Sequence, residues 1–275
     1  MPELPEVETI VRELAPRLEG RRITSARLRK ADVLRKVSRP HLLKALEGNA
    51  FDYVHRRAKH AVFALTSGHR MVIQPRMTGS LIVYERPLTR HEARYAVLLC
   101  SLDNGALFVY RDVRRLGTVW LLDEAGWAGY TGRFGPEPLE ETFTPFVLAQ
   151  RLKGTRQAIK KAIMDQRRVV GIGNIYANEI LFEAGLRPSK PTSRLSLAEF
   201  ARLHTTIRSV LERAIGSDGT TVRDYRTGTG EPGRFQFELK VYGRGGKACV
   251  ACGRKLKATH EIDRRATVFC PRCQR

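Results

Sequence analysis

Two Cys-x2-Cys knuckles, Cys249-Val-Ala-Cys252 and Cys270-Pro-Arg-Cys273, stand 17 residues apart. Each knuckle turns two thiolates to one side, and two knuckles close the tetrahedral four-sulfur shell that Zn2+ favours. Four protein ligands leave no open coordination position, so the reading is one structural zinc. Residues 235–275 are therefore set apart as a four-cysteine finger. The segment holds ten Lys/Arg against three Asp/Glu, which suits contact with phosphates and leaves base reading open. The fifth cysteine, Cys100, lies in the apolar run from Tyr95 to Leu102 and reads as a buried strand residue without chemistry.

The charge balance sharpens the choice of partner. Lys and Arg number 49 against 28 Asp and Glu, a formal net charge of +21 spread along 275 residues. Such an excess points to a polyanion, with nucleic acid ahead of an anionic membrane surface, since no basic amphipathic helix with exposed aromatics is evident. No run approaches the ~18 apolar residues of a membrane helix. The first residues carry neither a basic nor an apolar leader pattern, so the expected location is cytoplasmic, where disulfides are rare.

Along the chain, Ile10, Val11, Leu14 and Leu18 fall at helical spacing, which predicts a helix directly after the N-terminus. The pattern then turns to strands: around Ile23–Leu28, Ala61–Leu65, Met71–Ile73, Tyr95–Leu102, Ala106–Tyr110 and Val119–Leu122. Asp103-Asn104-Gly105 is a hairpin signal. Without βαβ alternation, residues 1–135 read as an antiparallel β-sandwich with one N-terminal helix. The Gly/Pro-rich stretch from Gly132 to Pro138 marks a linker. Residues 136–234 then read as helical, over Phe146–Leu152, Thr155–Met164 and Asn174–Ala184. A further helix starts at the capping box Ser196-Leu197-Ala198-Glu199. The class is α+β.

Several stretches carry possible chemistry, each beside a plainer reading. The chain begins Met1-Pro2-Glu3-Leu4-Pro5-Glu6-Val7-Glu8. Loss of Met1 would leave Pro2 as a secondary amine with a pKa near ~7.7–8.0, partly unprotonated and able to form an iminium adduct. Glu3 and Glu6 could move protons beside it. On composition alone, an ordinary helix start with Pro5 in the first turn is the better reading. Gly171-Ile172-Gly173-Asn174 could expose backbone N–H groups to a phosphate, with Asn174 capping the next helix, or simply connect two helices. Lys160, Lys161, Arg167 and Arg168 upstream tip it toward a DNA backbone. Arg56-Arg57-Ala58-Lys59-His60 and Arg111-Asp112-Val113-Arg114-Arg115 are basic clusters of a kind that is usually a solvated face. Met77 would ordinarily be core, and the stretch from Gly216 to Thr221 reads as a polar, mobile loop continued by Gly228 to Gly233.

Together these marks resemble the bacterial formamidopyrimidine-DNA glycosylase family nearly end to end. They are the Pro2–Glu8 start, Arg57-Ala58-Lys59, Met77-Thr78-Gly79-Ser80-Leu81, Met164-Asp165-Gln166, Gly171 to Asn178, Val241-Tyr242-Gly243-Arg244 and the finger. Leu4 within the opening motif is similar to this branch rather than to the endonuclease VIII branch, which has glycine there. The resemblance implies a helix-two-turn-helix fold for the helical segment. It also implies a glycosylase and abasic-site lyase acting on formamidopyrimidines and 8-oxoguanine in duplex DNA, as a monomer in the bacterial nucleoid, with no small-molecule cofactor and no membrane. By resemblance, Pro2 is the nucleophile, Glu3 the acid/base group, Glu6 a supporting carboxylate and Lys59 the catalytic lysine, with Arg265 of the finger joining this set through a phosphate. Met77 matches the wedge that enters the stack, and Arg114 faces the orphaned cytosine with Leu116 beside it. Lys160 and Asn174 match phosphate contacts, while Tyr242 and the loop residues Ser217, Thr220 and Thr221 match the region closing over the flipped base.

Two departures stand out. The family commonly has His-Leu before the wedge and Phe after the paired arginines, where this chain has Gln74-Pro75 and Leu116. Leucine fills space but cannot stack as an aromatic ring does. Two rivals follow: a specificity shifted to oxidised pyrimidines, and a zinc-finger damage sensor without catalysis, against which the Pro2-Glu3 pair argues.

Overall fold

A computed structural model describes residues 2–153, 155–222 and 224–275. Met1, whose loss is expected above, lies outside the described residues. Two compact units divide the chain, one of Met1–Gly132 with Ser217–Arg234, the other of Arg133–Gly216 with Phe235–Arg275.

The first unit runs α1 (Leu4–Leu18), β1 (Ile23–Leu28), α2 (Arg39–Leu46), β2 (Phe51–Arg57), β3 (His60–Leu65), β4 (Arg70–Gln74), β5 (Gly79–Tyr84), α3 (Arg90–Arg94), β6 (Ala96–Leu102), β7 (Leu107–Asp112), β8 (Thr118–Leu122) and α4 (Glu124–Thr131). Its strands form two antiparallel four-stranded sheets, ordered β1-β6-β7-β5 and β2-β3-β4-β8. Phe51 and Phe63 of one sheet meet Phe108 of the other, with ring centroids 5.1–5.9 Å apart. Ile10, Leu14 and Leu18 of α1 join this core from one face of the helix. The Asp103–Gly105 turn is present, with Gly105 at φ +83° and its N–H on the Leu102 carbonyl. Cys100 is fully buried, and burial pushes its thiol up to about 12, so it is inert at neutral pH.

The observed unit has more elements than the sequence suggests. Strand β2 hides behind a bulge between Phe51 and Val54, which breaks its alternation. All six residues of β5 are buried, so no alternation marks it. Helix α2, capped by Ser38, buries only Leu42 and Leu46 and is too short for a readable stripe. The largest difference concerns residues 217–234, assigned above to the helical segment: they pack within the first unit, against α1.

The second unit contains α5 (Pro145–Lys153), α6 (Ile159–Ile163), α7 (Asn174–Glu183), α8 (Leu197–Gly216) and the finger hairpin β9 (Lys257–Thr259) with β10 (Thr267–Phe269). The capping box at α8 is formed in both directions, Ser196 N–H to Glu199 and Glu199 N–H to Ser196. Helix α6 is shorter than the expected span from Thr155 to Met164. Residues ahead of it are drawn into extended pairing, with Ala158 bridged to Pro191 and the Thr192 N–H on the Gln157 carbonyl. Helix α7 is the spine of the finger. Phe182 packs with Val241, Leu256 and Val268, and Asn178 accepts the Val268 N–H at 2.7 Å. Among the described residues no helix is long and apolar enough to cross a membrane.

Candidate active site

In the first unit the N-terminal residues are enclosed. Pro2 is buried, and Glu3, the residue preceding α1, is 2% exposed. The Glu6 carboxylate accepts the Glu3 N–H at 2.7 Å with one oxygen and the Thr220 N–H at 2.7 Å with the other. One carboxylate thus ties the start of α1 to the 217–234 loop. Tyr225 adds a second tie: its hydroxyl lies 3.0 Å from the Asp218 carbonyl and 3.3 Å from that of Glu6. Glycine permits this approach. Gly219 has φ +76°, and a Cβ there would lie 3.0 Å from the Glu6 side chain. Thr220 therefore meets Glu6, whereas Ser217 and Thr221 close the loop on itself by accepting the N–H groups of Arg234 and Gly233 at 2.8 Å.

Lys59 lies in the tight β2–β3 turn and is 6% exposed, following Ala58 at φ +55°. Arg56 donates to the Ala58 carbonyl at 3.0 Å and to Glu8 of α1 at 2.8 Å. Glu8 also holds Arg12 at 2.7 Å. Burial alone would raise the Glu8 carboxyl, but the two guanidiniums outweigh it and hold the group below the usual carboxylate range. The Glu8–Arg56 pair fixes the lysine turn to the helix that follows Pro2. Sequence reasoning missed it; a Glu on the first turns of α1 and an Arg three residues before Lys59 were the available signal.

Met77 and Leu116 are 45% and 41% exposed at the tips of two turns, rather than buried as core. Each follows an arginine in the left-handed region, Arg76 at φ +51° and Arg115 at φ +52°. Arg114 is exposed on the second turn.

In the second unit several expectations are corrected. Lys160 is 0% exposed, its ammonium held by Asp263 at 3.1 Å and the Thr267 hydroxyl at 2.8 Å. It braces the finger hairpin and does not present its charge to a phosphate. The glycines of the Gly171–Gly173 turn are buried rather than exposed. Gly173, not Asn174, is the N-cap of α7, and the Asn174 amide instead donates to the Ala266 carbonyl at 3.2 Å. Among the described residues the Asn174 Oδ1 is buried without a hydrogen-bond partner. Arg265 is exposed beside a cavity of about 620 Å3 whose charged lining is mixed, Lys161, Arg167, Arg264 and Arg265 facing Asp165, Glu261 and Asp263. Tyr242 is half-buried, and its N–H and those of Lys240 and Val241 all donate to Glu179 at 2.7–3.0 Å. Burial nonetheless raises the Glu179 carboxyl.

The finger brings Cys249, Cys252, Cys270 and Cys273 together with all four sulfurs within 4.8 Å of one another. Two sulfur pairs lie 3.5 and 4.0 Å apart, too far for a disulfide. Zn–S bonds of about 2.3 Å in a tetrahedron require S–S edges of roughly 3.8 Å, so the set fits a four-coordinate metal.

Known proteins are similar to this chain over its length. The formamidopyrimidine-DNA glycosylase N-terminal domain matches residues 1–119, and the formamidopyrimidine-DNA glycosylase H2TH domain matches residues 134–226. The chain is 44% identical to the formamidopyrimidine-DNA glycosylase of Thermomicrobium roseum and 41% identical to that of Chloroflexus aggregans, over 100% of this chain and 99% and 98% of those proteins. Among solved structures, a Lactococcus lactis FPG mutant in complex with Fapy-dG containing DNA superposes with TM-score 0.90 at 31% identity, covering 100% of both chains. The L. lactis Fpg complex with DNA containing an abasic site also gives 0.90 at 31% identity, covering 99% of each. The chain belongs to the formamidopyrimidine-DNA glycosylase family.

Proposed function

We propose that this protein is a bifunctional DNA glycosylase and abasic-site lyase of base excision repair, excising formamidopyrimidines and 8-oxoguanine from duplex DNA. The observation that carries the reading is the enclosed Pro2-Glu3 start, held at Glu6 by two backbone N–H groups. Such a fixed geometry is what a nucleophile needs for a near-attack approach. Once Met1 is removed, the Pro2 nitrogen attacks C1′ of the extruded nucleotide and the C1′–base bond breaks, the base leaving with a proton. Opening of the C1′–O4′ bond gives the iminium, with O4′ protonated by the Glu3 carboxyl. The iminium acidifies C2′–H, whose loss expels the 3′ phosphate; loss of C4′–H then expels the 5′ phosphate.

Glu6 positions the segment, and Lys59, on its fixed turn, acts at the lesion and its adjacent phosphate. Met77 and Leu116 enter the space the base leaves, and Arg114 meets the opposite base. Arg265, Asn174 and Tyr242 contact the DNA, and Ser217, Thr220 and Thr221 help to enclose the flipped base. The four thiolates hold a structural Zn2+, which shapes the finger and takes no part in the chemistry. The protein acts as a monomer on bacterial nucleoid DNA in the cytoplasm.

A duplex with one 8-oxoguanine opposite cytosine tests this. The expected products are the free base and a one-nucleotide gap with phosphates at both ends. An uncut strand would refute the reading, and faster release of 5-hydroxyuracil would turn it toward oxidised pyrimidines.

A further inference from the structure

The two exposed turns of the first unit share a single buried carboxylate. Asp112, at the end of β7, is 2% exposed. One of its oxygens accepts the Thr78 hydroxyl, and Thr78 directly follows Met77. The other accepts the Gly117 N–H at 2.8 Å and the Tyr110 hydroxyl at 3.0 Å, and Gly117 directly follows Leu116. The Thr78 oxygen closes the circuit by accepting the Arg114 N–H at 3.1 Å. Space at Gly117 is part of the device: a Cβ there would lie 2.0 Å from the Tyr110 hydroxyl and 3.1 Å from Asp112. Burial and the Asp112 charge push the Tyr110 phenol up, so it remains a neutral donor.

We propose that Asp112 and Thr78 are positioning residues that lock the Met77 turn to the Arg114–Leu116 turn, so that both enter the base stack as one preorganised wedge. The inference rests on the proposed glycosylase activity. Arg76 and Arg115, which precede the two apolar tips, both occupy the left-handed region. Non-glycine residues persist there only where surrounding bonds over-determine the backbone. The Asp112–Thr78 circuit supplies those bonds at both turns. Two independently mobile turns would have to be ordered at the moment of insertion, and that cost would be set against the unstacking the wedge must offset. A shared buried carboxylate removes it in advance and fixes Arg114 relative to Met77, hence the reading of the opposite base.

Thr78→Val keeps the shape and deletes the bridging hydroxyl, while Thr78→Ser keeps the hydroxyl. Excision of 8-oxoguanine opposite cytosine and opposite adenine, and borohydride trapping on a preformed abasic site, are measured for both variants and the native chain. Losing about 1.4 kcal/mol of preorganisation corresponds to an about tenfold slower excision. Thr78→Val is therefore expected to excise about tenfold more slowly and to lose discrimination between opposite bases. Trapping on the abasic site, where there is no base to extrude, should stay close to native, and Thr78→Ser should recover excision. Asp112→Asn, which turns an amide donor toward the surrounding donors, should shift excision the same way as Thr78→Val. Unchanged excision and discrimination in Thr78→Val overturn the coupling, as does a proportional fall of excision and trapping. A native chain that neither excises nor traps overturns the glycosylase reading itself.

Discussion

Glu8 shows how a residue without a role at the reacting carbon can still decide the geometry of the site. Its carboxylate joins α1 to Arg56, and Arg56 in turn holds the carbonyl of Ala58, next to Lys59. The folded state lowers the Glu8 pKa, so its contribution to stability is complete above the unfolded carboxylate value and is lost as pH falls through the folded one. Glu8→Gln should therefore unfold at lower urea than the native chain at pH 7, with the gap narrowing at pH 3. A gap that is constant with pH would mean the pair contributes nothing electrostatic. Glycine at 117 is a steric demand of the same local kind. Gly117→Ala places a methyl 2.0 Å from the Tyr110 hydroxyl. Overpacking of this kind costs about 1–3 kcal/mol, which denaturant midpoints would register. Neither constraint can be read from composition, because each depends on a partner brought close by the sheet register.

Among the elements, the finger hairpin is held to α6 and α7 by polar side chains. Lys160 and Asp263 form a buried pair, and Asn178 accepts the Val268 N–H. Removing one member of a buried pair leaves a stranded charge at a cost of about 3–5 kcal/mol. Asp263→Ala strands a fully buried ammonium, whereas Lys160→Met strands a carboxylate that is 10% exposed, so Asp263→Ala should loosen the hairpin more, as faster amide hydrogen exchange at Val268. Equal exchange in the two variants would show that the charge is not what braces it. This element also marks the limit of sequence reading. Helix α1, the Asp103–Gly105 hairpin and the α8 capping box were legible because periodicity and turn chemistry act locally. Lys160 was misread because its charge resembles any surface lysine until Asp263, 103 residues away, is brought beside it. The short span of α6 was hidden for the same reason, its preceding residues being claimed by Pro191 and Thr192. The 217–234 loop could not be assigned to α1 without seeing that Glu6 takes the Thr220 N–H across 214 positions.

At the scale of the molecule, the charge of +21 predicts binding to DNA that weakens steeply with salt. Each phosphate neutralised contributes about −0.9 to the slope of log K against log salt, so a slope steeper than about −3 is expected. A slope near zero would leave the basic surface without a DNA partner. The four-cysteine cluster and the basic balance were readable in the sequence because ligand spacing and net charge survive without tertiary detail. The roles proposed for Pro2, Glu3 and Lys59 entered through family resemblance, and the geometry adds the contacts by which Glu6 and Glu8 fix the segments that carry them. The central claim is that Pro2 is the nucleophile. Borohydride reduction of the protein on an 8-oxoguanine:cytosine duplex, followed by mass spectrometry of the adduct, tests it most directly. The account predicts a covalent sugar adduct at Pro2, absent in Pro2→Gly; an adduct on Lys59, or none even on an abasic-site duplex, would contradict it.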